Sequence, residues 1–195
     1  MSERERHPGN WLPLEPVQRL ALAYCPAPAR PVWRGFLTLD ARLGDAARAG
    51  REPIAVQLRL AWWRDRFGAP ACEWPAGEPL LALLGPWDTE REALGALVDG
   101  WEAAAVGEDG GRALSEARIE AMAALARLLG CGATDAIGAA ARDWVLPEAA
   151  GPAPALPRAM RPLAVLRGLA VREARGGARP VRDLLAVMRI GLTGR

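Results

Sequence analysis

Apolar residues recur at spacings of three and four along most of the chain, and no alternating run persists long enough to make a strand. Proline and glycine cut this pattern into helices. The first is predicted from about Glu15 to Tyr24, with Val17, Leu20 and Tyr24 at helical spacing and Pro26 and Pro28 stopping it. The second runs from near Ala29 to about Ala49, closed by Gly50. The third opens at Pro53 beside Glu52, a start that suits the helix dipole, and continues to about Gly68. Ile54, Leu58, Ala61 and Asp65 share one of its faces, and Val56, Leu60, Trp63 and Phe67 share another. A helix this apolar around its circumference is expected inside a bundle. Glu52, Arg59 and Arg66 make its one polar stripe, which would then have to be paired or wet.

Beyond a loop at 69–77, a short helix is expected from Glu78 to Leu84, stopped by Gly85 and Pro86. Asp88 or Thr89 is the expected cap of the next helix, which carries Leu94, Leu97, Val98, Trp101 and Ala105 on one face and ends at Gly107. Gly110 and Gly111 mark a hinge or loop. Ser115 reads as the cap of a long Ala/Leu helix to Leu129, closed by Gly130. Further helices are predicted at about Thr134 to Val145, Ala159 to Glu173 and Arg179 to Leu192, with a Pro/Ala/Gly linker from Pro147 to Pro154. The fold class is all-α: a flexible tail over 1–13 and a single-domain helical bundle over 14–195.

Composition narrows the chemistry. A chain of 195 residues that is 51% hydrophobic can bury one sizeable core. Its net charge of +2 is too small to argue for a nucleic-acid partner. Every basic residue other than His7 is arginine, which points to genome base composition rather than to phosphate chemistry. Cys25, Cys72 and Cys131 are scattered and odd in number, as expected of buried thiols in a reducing compartment rather than of a disulfide or zinc framework. The single histidine, His7, lies in the polar tail, which removes histidine triads and histidine-rich metal sites from consideration. No uncharged apolar run approaches the roughly 20 residues that a membrane-spanning helix needs. A cytoplasmic protein is expected.

The segment from Tyr24-Cys25-Pro26-Ala27 through Phe36 and Asp40 to Arg51-Glu52-Pro53, followed by Gln57-Leu58-Arg59-Leu60-Ala61-Trp62-Trp63-Arg64-Asp65, resembles the squalene/phytoene synthase family. Within it, the chain is most similar to the divergent branch that includes mitochondrial complex I assembly factors. The likeness centres on residues 20–67, with weaker echoes at Leu97 to Glu102, Leu128 to Gly130 and Leu156 to Leu163. It implies a bundle of the isoprenoid-synthase type, trimmed in its C-terminal half. It also implies Mg²⁺-dependent joining of prenyl diphosphates, or, for the divergent branch, assembly work on a protein partner peripheral to the inner membrane.

The enzyme reading can be tested on the aspartates. Two carboxylates share a hard cation from one helix only at i,i+4 spacing, where they stand one turn apart on the same face. The resemblance places Asp40 in the first aspartate motif, but four residues on stands Gly44, and Asp45 is turned about 140° away. It places Arg142 and Asp143 in the second motif, flanked at i−4 by Ala139 and at i+4 by Pro147. Asp135 lies about 12 Å away along the axis. Both motifs are degenerate. Asp40 is expected to point inward, held by Arg59 or another buried arginine. Asp40 and Asp143 are the candidate catalytic residues and Arg59, Trp62 and Arg142 the candidate substrate contacts, with no metal expected unless Asp40 holds Mg²⁺. Asp99 and Glu102, at i,i+3, are read as a solvated face rather than a substitute metal site. Trp62 and Trp63 are read as core residues. The expected function is therefore non-catalytic, through a protein partner, with prenyl-diphosphate transfer or prenyl-lipid binding as the alternative. A third possibility is pairing with a catalytic paralogue through Leu184, Leu185, Val187, Met188 and Leu192.

Overall fold

A computed structural model of the chain describes residues 14–48, 52–107, 109–132 and 134–176. The described residues are all helical in their regular structure, with no strand among them: α1 (Pro16–Ala23), α2 (Arg30–Ala46), α3 (Pro53–Phe67), α4 (Pro79–Leu84), α5 (Arg91–Val106), α6 (Arg112–Leu128), α7 (Thr134–Val145) and α8 (Arg161–Ala174). The tail at 1–13 and the helix expected at 179–192, with its candidate pairing face, lie outside the described residues.

The element at the centre is α2. From Gly35 to Asp40 every residue is buried, which requires neighbours on all sides. Helices α1, α3, α4, α5 and α6 supply them. Trp33 and Trp87 are wholly enclosed, and each indole N–H is satisfied by a carbonyl: Trp33 Nε1 donates to Ala159 O at 2.9 Å and Trp87 Nε1 to Val32 O at 3.2 Å. The first of these bonds ties α2 to the turn that leads into α8.

Helix α3 is a surface helix, contrary to the expectation that it lies inside the bundle. It packs chiefly on α5 through Val56, Leu60, Trp63 and Phe67. The opposite row, Ile54 and Leu58, is 63% and 67% exposed, and Trp62 is 38% exposed. The reason is a shortage of neighbours: apolar character on two faces makes burial favourable, but only an element packed there can supply it.

Two expected caps are also different. Asp109, not Ser115, caps α6, its carboxylate accepting from Gly111 N at 2.9 Å and Ala113 N at 2.7 Å. Ser115 lies within the first turn, its hydroxyl donating to Gly111 O at 3.0 Å. Before α5 the chain forms a short 3-10 segment, Gly85–Glu90, and the Asp88 carboxylate accepts from Ala71 N at 2.8 Å rather than capping α5. Glycine decides one helix contact. A Cβ on Gly100 would stand 2.8 Å from Leu114 Cα, so only glycine lets α5 approach α6 this closely. That approach brings Trp101 and Arg118 to α2.

Candidate functional site

Asp40 points into the core, as its place on the inward stripe of α2 predicts, and its side chain is 5% exposed. An ionised carboxylate there needs partners. Arg118 of α6 supplies a fork, with Nη2 donating to Oδ2 at 2.9 Å and to Oδ1 at 3.2 Å, and Nε to Oδ1 at 3.3 Å. Trp101 Nε1 donates to Oδ1 at 2.8 Å. The arginine expected at Asp40 is thus Arg118, not Arg59. Its guanidinium lies 5.0 Å from the Trp101 ring centre and 5.7 Å from that of Trp144, while Trp144 meets Phe36 edge-on at 6.4 Å.

The neighbour that the aspartate motif lacks is visible in this geometry. One turn after Asp40, a Cβ on Gly44 would lie 2.9 Å from Cη2 and 3.0 Å from Cζ2 of Trp101. The indole that donates to Asp40 fills the space in which a second carboxylate would begin.

Asp143 belongs to a different network. Arg167 of α8, 7% exposed, donates from Nη2 at 2.6 Å and Nε at 2.8 Å to Asp143 Oδ2, and from Nη2 at 2.7 Å to Gly151 O. This pair closes the 146–160 connection onto α7 and α8. Arg142, the next residue back, is exposed, with a terminal nitrogen 3.8 Å from where a Gly138 Cβ would sit. Sequence reasoning missed Arg118 and Arg167. Each betrays itself as a lone cation on an apolar face: Arg118 among Leu114, Ala117, Ala121 and Met122, and Arg167 among Leu163, Ala164, Leu166 and Val171.

The two remaining candidates, Arg59 and Trp62, meet elsewhere, at a cleft of about 420 Å³ between the end of α2 and the outer side of α3. Its walls are Arg42, Asp45, Ala46, Arg59, Trp62, Trp63 and Glu78. Arg42 and Glu78 face each other at 4.0 Å, and Asp45 accepts from Arg48 at 3.2 Å. Trp62 and Trp63 meet edge-to-face with centroids 4.9 Å apart and both border the cleft; Trp63 is buried, as a core residue should be, whereas Trp62 is 38% exposed and is not the core residue expected. Neither Asp40 nor Asp143 nor Arg142 lines this cleft.

Asp99 and Glu102 are held by Arg64, whose Nε donates to Asp99 at 2.7 Å and Nη2 to Glu102 at 2.5 Å. Those hydrogen bonds, that to Asp99 first, raise the arginine's pKa above its ordinary value. Arg64 is therefore a strut from α3 to α5. Among the described residues no three His, Cys, Asp or Glu side chains converge as metal ligands, and no helix is long and apolar enough to cross a membrane. No protein-family model, curated protein or solved structure matches the chain.

Proposed function

We propose that this chain is a squalene/phytoene synthase-like helical protein that performs no prenyl transfer and acts by binding a protein partner. One observation carries the reading: Trp101 fills the space one turn beyond Asp40 while it and Arg118 occupy the carboxylate. A Mg²⁺ ion bound by such a motif needs two carboxylates with free oxygens on one face. Here Asp40 is spent on an arginine and an indole, and Asp143 on Arg167 in a separate network. The residues do not fit the ion.

The alternative, a prenyl-diphosphate or prenyl-lipid binder, draws on the cleft, where a guanidinium at Arg59 and an aromatic surface at Trp62 stand together. Titrating the purified protein with farnesyl and geranylgeranyl diphosphate, with and without Mg²⁺, separates the readings, with tryptophan fluorescence for binding and chromatography for a condensed product. The proposal expects no product under any condition and no Mg²⁺-dependent binding. A condensed hydrocarbon overturns it. Metal-independent binding that is lost in Arg59→Ala moves the assignment to the lipid binder.

A further inference from the structure

The outer face of α3 names the kind of partner, resting on the proposal that the chain acts through one. Ile54, Leu58 and Trp62 follow one another at four-residue intervals and are 63%, 67% and 38% exposed. Single exposed apolar residues are ordinary, but three in one row on a helix whose other side is already buried form a ridge without a partner among the described residues. The charges beside the ridge are uneven. Glu52 stands at its first turn and Asp65 at its last. Between them, on the flank facing the cleft, Arg59 is exposed and has no hydrogen-bond or ionic partner among the described residues. Arg66, two turns on, has no carboxylate either: its guanidinium lies 5.7 Å from the centre of the Trp62 ring, and its Nε is enclosed without an acceptor. On the other flank Arg64 is already neutralised by Asp99 and Glu102. The middle of the ridge is thus apolar with one positive edge.

We propose that this face docks an amphipathic α-helix of a partner protein, its apolar side chains at i and i+4 lying against Ile54, Leu58 and Trp62. Acidic residues two turns apart, roughly 10 Å along its axis, meet Arg59 and Arg66. Tryptophan and arginine at the centre of an exposed apolar strip are the residue types that carry most binding energy in such contacts. The cleft beside Trp62 receives one partner side chain. A flat bilayer is the poorer occupant, because it cannot follow a concave cleft whose walls carry both signs of charge, Arg42 and Arg59 beside Asp45 and Glu78.

The test is a selection of displayed 20-residue helical peptides, a length of about 30 Å, on the intact chain, with counter-selection on Leu58→Asp. The expected winners are amphipathic and acidic. Arg59→Glu should weaken them by about tenfold or more, and exchanging the facing peptide glutamate for arginine should restore binding to R59E. Both variants alter exposed side chains, so an unchanged melting temperature shows that the fold is intact. Three results overturn the proposal: winners that ignore Leu58→Asp, binding of phosphatidylglycerol vesicles that Leu58→Asp abolishes, or dimerisation of the chain itself that the same variant abolishes. A prenyl product in the preceding assay would overturn the non-catalytic reading and leave this face standing. Loss of the face leaves that reading standing.

Discussion

Helices α2 and α3 are similar in length and both rich in apolar residues, yet their fates are opposite. In α2, two arginines and a proline interrupt the apolar pattern within the first five residues, and an aspartate sits at its middle. It is nonetheless the enclosed helix. In α3 the apolar residues run almost all round, and one row of them faces outward. The difference teaches that burial belongs to the neighbourhood and not to the helix. Polar groups on α2 are tolerated because the bundle supplies partners: Asp40 has Arg118 and Trp101. Among the described residues the apolar ridge of α3 has nothing packed on it, and Arg59 beside it is unpaired. One region has spent its polar capacity on its own fold, and the other retains it.

The buried pair on α2 should be the most sensitive point. Arg118→Ala should cost about 2–3 kcal/mol in chemical denaturation, below the roughly 3–5 typical of a fully buried pair because the Arg118 side chain is 25% exposed. Replacing both partners at once, Asp40→Leu with Arg118→Met, should recover at least half of that loss, since no unpaired charge remains. A double variant no better than the single one would mean that the carboxylate has a task beyond the pair.

Next in size is a contrast within α3 itself. Leu60 is wholly buried and Leu58 is 67% exposed, although they are neighbours but one on the same helix, about 200° apart around its axis. Leu60→Ala should cost about 2–4 kcal/mol, while Leu58→Ala should change stability by no more than about 0.5 kcal/mol. Equal losses at the two positions would mean that the outer ridge is covered within the chain.

Acid unfolding sharpens the picture at smaller amplitude. Hydrogen bonds from Arg127 hold Glu90 below its ordinary value of 4.5, and backbone N–H groups of Ala113 and Gly111 hold Asp109 below 3.8. Both carboxyls bind protons more weakly folded than unfolded. Their stabilisation is complete above the ordinary values and fades as pH falls through the lower folded ones. Melting temperature should therefore be level from neutral pH down to about 4.5 and fall below it, with a shallower fall in Glu90→Gln. The smallest effect is chemical. Burial pushes the Cys25 thiol up to about 11, against a lesser opposing pull from Arg30, whereas Cys72 is exposed. Maleimide labelling at neutral pH should modify Cys72 first and Cys25 only on unfolding; early loss of Cys25 would mean that the α1–α2 corner opens while the rest of the protein stays folded.

Much of the fold was legible in the sequence because helix signals are local. Pro26, Pro53 and Gly107 stop or start helices where the pattern says they should, and the edges of α1, α3, α5 and α7 fall within a residue or two of expectation. The misplaced caps at Ser115 and Asp88 have a local cause too: Asp88 and Thr89 precede α5, Asp109 precedes α6 with Ser115 in its first turn, and only geometry selects which side chain reaches a free N–H. For the candidate site, the inward aim of Asp40 followed from its stripe, and the missing carboxylate at Gly44 from simple spacing.

What the sequence determined by itself is thus the helical class, the breaks between helices and the absence of a second carboxylate one turn from Asp40. Tertiary structure alone decided which helix is enclosed, which arginine answers Asp40 and that the ring of Trp101 stands over Gly44. It also separated Asp40 from Asp143 and left Arg59 with Trp62 on an open cleft. The physical reason is range. Helix propensity, capping and periodicity act over a few residues, whereas burial and ion pairing depend on groups such as Asp40 and Arg118, which lie 78 residues apart along the chain and meet only when α5 and α6 close over α2.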